Sequence, residues 1–166
     1  MSTRSQIVIK NSEDDSTEWG HEQWFYRHSD GYPEGNLPQL FKFMTWLREE
    51  RIRNNVEQSA GWLILIGAEE YGYRYDYSGD TAKEIPKKSL TEPDKEDKVM
   101  GWKCGAYEIS ISKKHGDIEW FYVIDLKDNT LLIHREYIDE EHKFTYEELE
   151  AYNGKWEKIE EDYFPD

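Results

Sequence analysis

The run "IEWFYVIDLKDNTLLIHREY", residues 118–137, decides the fold. Its first eight residues are apolar or aromatic at both odd and even positions. That is the pattern of a strand covered on both faces, and so central in its sheet. "LKDN", residues 126–129, supplies turn chemistry, and "TLLIHREY" returns as a second strand. Upstream, "AYEISIS", residues 106–112, alternates cleanly. Tyr107, Ile109 and Ile111 fall on one face, with Glu108 and Ser110 on the other. "KKHGD" links it to the central strand. Three consecutive strands therefore read as a meander.

The N-terminal side supplies two more strands. "SQIVIK", residues 5–10, is compact and β-branched, and "EQWFYRH", residues 22–28, follows a polar loop. A turn, "HSDGYPEG", precedes a helix expected from 37 to 54. Leu37, Leu40, Phe41, Met44 and Leu47 share one stripe, and Asn36 reads as the N-cap. Arg48, Arg51 and Arg53 suit the negative end of its dipole. Asn55 and Gln58 form a capping-box pattern that opens a second helix, residues 56–71. "WLILIG" within it could also be a buried strand. Read as helix, it is apolar almost all round and should be central. "YGYRYDY", residues 71–77, suits a short exposed strand or a stacking surface.

Composition then shifts. Residues 80–98 hold eleven charged side chains and two prolines, which reads as a mobile excursion loop over 78–100. Thr145 with Glu148 marks a short helix near 146–152. From 139 to 166 there are eleven Asp or Glu against three Lys, a net of -8. The expectation is one α+β domain over 1–154 and an acidic tail over 155–166 that adds little to folding. The fold class is an antiparallel sheet of about five strands with two helices packed on one face.

The chain has 166 residues, a net charge of -15, 7 Trp and 12 Tyr. So many rings build a core from few apolar positions. Nucleic-acid binding without sequence preference rests on Lys and Arg, and anionic membranes attract the same residues; this charge disfavours both. It suits a basic protein partner, or mimicry of nucleic acid. A single cysteine, Cys104, precludes an internal disulfide and fits a cytoplasmic setting. The N-terminus reads as no secretory signal.

Two polar turns concentrate the chemistry. In the first, Arg27, His28, Asp30, Tyr32 and Glu34 fall within eight positions. A turn needs Asp30, Gly31 and Pro33 for shape, with Gly31 supplying positive φ, but does not need Arg, His and Tyr. In the second, "HGDIE" contains His115, Asp117 and Glu119. If both turns share one sheet edge, two imidazoles and several carboxylates meet there. His with Asp or Glu could perform acid–base work or ligate a metal, but no standard zinc spacing is present. No metal or cofactor is expected. No Walker A, G-x-G-x-x-G, G-x-S-x-G or H-E-x-x-H pattern occurs.

"MSTRSQIVI", "WFYRHSDGYPEG" and "HGDIEWFYVIDL" together resemble a family of small, largely uncharacterised bacterial and phage proteins. Its members share a Ser-Thr-Arg start, an H-x-D-G-Y-P turn and a Gly-Asp-Ile strand start. The resemblance covers about the first 70 residues and 101–126. It directs attention to Arg4 and to both turns, and it implies a prokaryotic or viral, cytoplasmic setting. It carries no settled activity.

Two function classes follow. One is a small acidic binding protein of phage or mobile-element type, acting on a host or defence protein. The other is a small enzyme or sequestering protein for an anionic nucleotide-like ligand held at the sheet edge. There Arg4 and Arg27 would meet the anion, while Tyr32 or Trp24 would stack.

Overall fold

The computed structural model describes residues 3–12, 22–70, 73–76, 79, 81, 83–86, 105–111 and 114–165. The main sheet runs β5-β2-β1-β6-β7-β8, where β1 is Ser5–Lys10, β2 Glu22–Arg27, β5 Glu108–Ile109, β6 Trp120–Asp125, β7 Thr130–Arg135 and β8 Glu140–Thr145. β6 is internal, as its two apolar faces require. The β6–β7–β8 meander and the β1–β2 hairpin are antiparallel, but β1 and β6 pair in parallel, Ile7 opposite Tyr122. The sheet is thus mixed and six-stranded, not antiparallel and five-stranded. After two helices the chain re-enters this sheet as β5, beside β2, and then crosses to β6 on the far side of β1, so a crossover replaces the expected turn between neighbouring strands. β5 pairs with β2 and leaves the meander. Tyr107 is buried, while Ile109 and Ile111 are exposed, so the alternation read into "AYEISIS" does not share one covered face.

Register sorts the side chains. Phe25, Ile7, Tyr122 and Ile133 lie side by side, as do Ile9, Ile124, Leu131 and Phe144. These two rows are buried under helices α1 (Pro33–Arg48), α2 (Val56–Glu70), α3 (Tyr146–Ala151) and α4 (Trp156–Tyr163). Among the described residues four α-helices therefore cover this face, where two were expected to pack and a short third was expected near 146–152.

Helix α1 begins earlier and ends earlier than the stripe suggested. Pro33 occupies its first turn, where a missing amide costs nothing, and Tyr32 is the capping position. Asn36 is consequently inside the helix and fully buried, not its cap. Arg48 alone of the three arginines lies in the last turn. Asn55 does cap α2, its side chain accepting from the Gln58 amide at 2.9 Å. α2 is not wrapped in protein, however. Leu63 and Ile66 are buried while Trp62 is 41% and Leu65 56% exposed. Its inner side packs closely: a Cβ on Gly67 would lie 2.5 Å from the Tyr107 ring, so only glycine lets residues 105–107 cross there.

The Thr145–Glu148 capping box forms as expected and starts α3. The stretch after Gly154, expected as a solvated tail, is helix α4. Trp156, Ile159 and Phe164 retain 4%, 0% and 1% exposure. These three residues sit at helical spacing within an acidic background, which hid their apolar stripe. A separate ladder pairs β3 (Tyr73–Asp76) with β4 (Lys83–Pro86), so part of the expected excursion loop is strand. Residues 78, 80, 82 and 87–100 of that loop, and Cys104, lie outside the described residues.

Candidate functional site

The sequence leaves open whether the two polar turns share one sheet edge. The structure brings only some of their residues together and divides the rest among three environments.

The first is buried. Arg27 ends β2 on the helix side and is 0% exposed. Its Nε donates to the Ser29 carbonyl at 2.6 Å, its Nη1 donates to Asn36 Oδ1 at 2.8 Å, and its Cζ lies 5.6 Å from the centre of the Tyr107 ring. Asn36 spends its amide as fully: Nδ2 donates to Ser5 Oγ at 3.0 Å and to the Gly31 carbonyl at 3.1 Å. That carbonyl also accepts from the Tyr122 hydroxyl at 2.9 Å. Burial pushes the Tyr122 phenol well above its ordinary value, so it remains a donor. Gly31 is needed for space, not for φ. A Cβ there would come within 2.5 Å of Ser5 Oγ and 2.8 Å of the Thr3 carbonyl. The positive φ of this turn belongs to Asp30, at 60°, a residue type that tolerates it.

The second environment lies on the sheet face opposite the helices. Tyr26, Gln6, Phe121 and His134 form one row across the strands, and Trp24, Val8, Val123 and Leu132 the next. Trp24 and Phe121 stack at 5.4 Å across the intervening β1, which accounts for the burial of Gln6 and Val8 beneath them. Tyr26 stacks on His115 at 4.6 Å and bonds His28 Nδ1 at 3.0 Å. Desolvation, with Asp117 and Glu108 nearby, raises its phenol pKa. Arg4 pairs with Asp117 at 3.3 Å, and both are well exposed. His115 Nε2 lies 3.3 Å from Ser110 Oγ. Glu119 accepts from the Tyr137 hydroxyl at 3.0 Å. Arg4, His28, His115 and Asp117 are therefore neighbours around Tyr26, on a surface rather than in a cleft. Among the described residues, no group of three or more His, Cys, Asp or Glu is placed to hold a metal ion.

The third environment lies on the helix side, between the start of α1 and α4. A groove of about 590 Å³ is lined by Tyr32, Glu34, Trp120, Arg135, Glu160 and a floor of Trp156 and Phe164. Trp120 meets Trp156 edge-on at 5.7 Å, and Trp156 packs on Phe164 at 5.2 Å. Arg135 Cζ sits 5.6 Å from the Trp120 ring centre. The Tyr32 hydroxyl donates to Asp30 at 3.2 Å. The charge of Asp30 chiefly, then burial and the hydrogen bond to Asp30, with a smaller effect from Glu34, raise the Tyr32 pKa.

Only Tyr32 and Glu34 of this groove were singled out from sequence. Trp120, Arg135, Trp156 and Glu160 are scattered over 41 positions and meet only through the β6–β7 register and the docking of α4. The legible signal was the row of aromatics in the acidic C-terminal stretch. The chain matches no protein-family model, no curated protein and no solved structure. No helix among the described residues is long and apolar enough to cross a membrane.

Proposed function

We propose that this is a small acidic binding protein that engages a partner protein carrying a basic surface. The setting is that implied by the resemblance: cytoplasmic, in a phage or mobile element, with a host or defence protein as partner. The observation that carries the reading is the fate of Arg27. A site for an anionic nucleotide-like ligand at the sheet edge needs Arg4 and Arg27 free to meet the anion. Arg27 is 0% exposed and bonded to Asn36, and Arg4 faces Asp117. What remains is a chain of net charge -15 over 166 residues, whose field speeds encounter with a cationic partner.

The test is affinity capture from a host lysate at low and raised ionic strength, beside a thermal-shift panel of nucleotides. The expected outcome is a basic protein retained at low salt and released as salt screens the attraction. A nucleotide that raises Tm, with no protein retained, would establish the anionic-ligand reading instead.

A further inference from the structure

We infer that the groove between α1 and α4 is a receptor for the guanidinium of an arginine side chain presented by a protein partner. The inference rests on the binding-protein reading and names the chemistry of contact. Three observations carry it. Tyr32, 36% exposed, and the half-buried Trp120 stand over a floor of Trp156 and Phe164, so a flat group entering the groove meets aromatic surface. Glu34 and Glu160 line the same groove, and neither carboxylate has a hydrogen-bond or ion-pair partner among the described residues. Arg135 already lies against Trp120, so this indole accepts a guanidinium from within the chain.

Charge and shape choose the occupant. Glu34 and Glu160 outnumber Arg135, which leaves the groove negative and repels phosphates and carboxylates. A cation over an aromatic face gains from the ring quadrupole, most over Trp. A planar guanidinium also stacks and donates in pairs to a carboxylate, whereas an ammonium does so only as a point charge. The volume, about 590 Å³, admits one such side chain with part of its backbone.

The test follows the indole N–H signals of Trp120 and Trp156 by NMR in the full chain. The probes are a blocked Gly-Arg-Gly peptide, its lysine counterpart and its neutral citrulline counterpart. The arginine peptide should move both signals saturably and bind about tenfold more tightly than the citrulline peptide, the lysine peptide falling between. The double variant Glu34→Gln, Glu160→Gln should lose that preference while keeping the wild-type Tm. Equal binding of arginine and citrulline peptides would overturn the inference. So would shifts spread over the acidic surface, or a preference that survives the double variant. Lysate capture separates the two proposals. If the double variant still retains the basic partner, the groove assignment fails and the binding reading stands. If the peptide binds the groove and no basic protein is ever retained, the reverse holds.

Discussion

Arg27 and Arg4 lie near the same end of the sheet, and the anionic-ligand reading gives them the same work. Arg27 points to the helix side, where Asn36 Oδ1 and the Ser29 carbonyl accept its hydrogen bonds and no solvent reaches it. Arg4 lies on the other side, where it forms an exposed pair with Asp117. The difference is one of strand register: Ser5 opposes Arg27 with its side chain toward the helices, and the next row, Gln6 opposite Tyr26, faces away. The same residue type becomes part of the fold on one face and sits in a surface ion pair on the other. An unpaired buried polar group costs far more than an exposed one, so the two faces should respond to mutation on different scales.

The largest effect should come from the helix side as a whole. Truncation after Gly154 removes α4 and exposes the surfaces covered by Trp156, Ile159 and Phe164. Each large apolar side chain buried in full is worth about 1.5–3 kcal/mol. A loss of more than about 5 kcal/mol is expected from the three together, a large part of the stability of a typical domain. Chemical denaturation checks it. A truncated chain with an unchanged midpoint would mean that the helix-side cover is dispensable and that the contrast between faces is overstated.

The next effect isolates the buried corner. Arg27→Ala removes the shorter of two hydrogen bonds to Asn36 Oδ1, leaving only the Tyr107 hydroxyl at 3.4 Å, removes a donor to the Ser29 carbonyl and leaves a large void; about 3–5 kcal/mol should be lost. Thermal melting and denaturant titration read it. A loss below about 1 kcal/mol would return Arg27 to the class of surface residues and reopen it as a ligand contact.

Which parts of this were legible follows from how local the causes are. β6 was readable as central because its two apolar faces lie in one continuous run. α2 and α3 were readable because Asn55 with Gln58, and Thr145 with Glu148, cap within three residues. The parallel β1–β6 pair was not, since its partners are 115 residues apart and nothing local records their direction. β8 escaped because "EEHKFT" offers the core only Phe144 and His142, the latter edge-on to Phe164 at 4.8 Å. Asn36 misled for a physical reason. Asn is favoured at caps, but here Pro33 starts the helix and frees that amide to link Arg27, Ser5 and Gly31. The candidate site was half legible. His28, His115, Arg4 and Asp117 do meet, whereas the groove depends on residues that only tertiary structure collects.

The smallest effect concerns that open face and sharpens the comparison most. His28→Ala and Asp117→Asn each remove one side chain from the cluster around Tyr26. His28 is exposed, and its bond to Tyr26 can be replaced by water. Asp117 is 56% exposed and faces Arg4 at 3.3 Å, the geometry in which ion pairs contribute about 0–1 kcal/mol because water and salt screen them. Neither change opens a cavity or strands a buried donor. Each variant should therefore melt within about 0.5 kcal/mol of the parent, the ordinary range for surface substitutions. For Asp117→Asn, the small loss should shrink further as salt is added. If either variant instead cost as much as Arg27→Ala, the stack of Tyr26 on His115 would be supporting the sheet from its second face. The open face would then be a thin second core and not a surface held ready for contact.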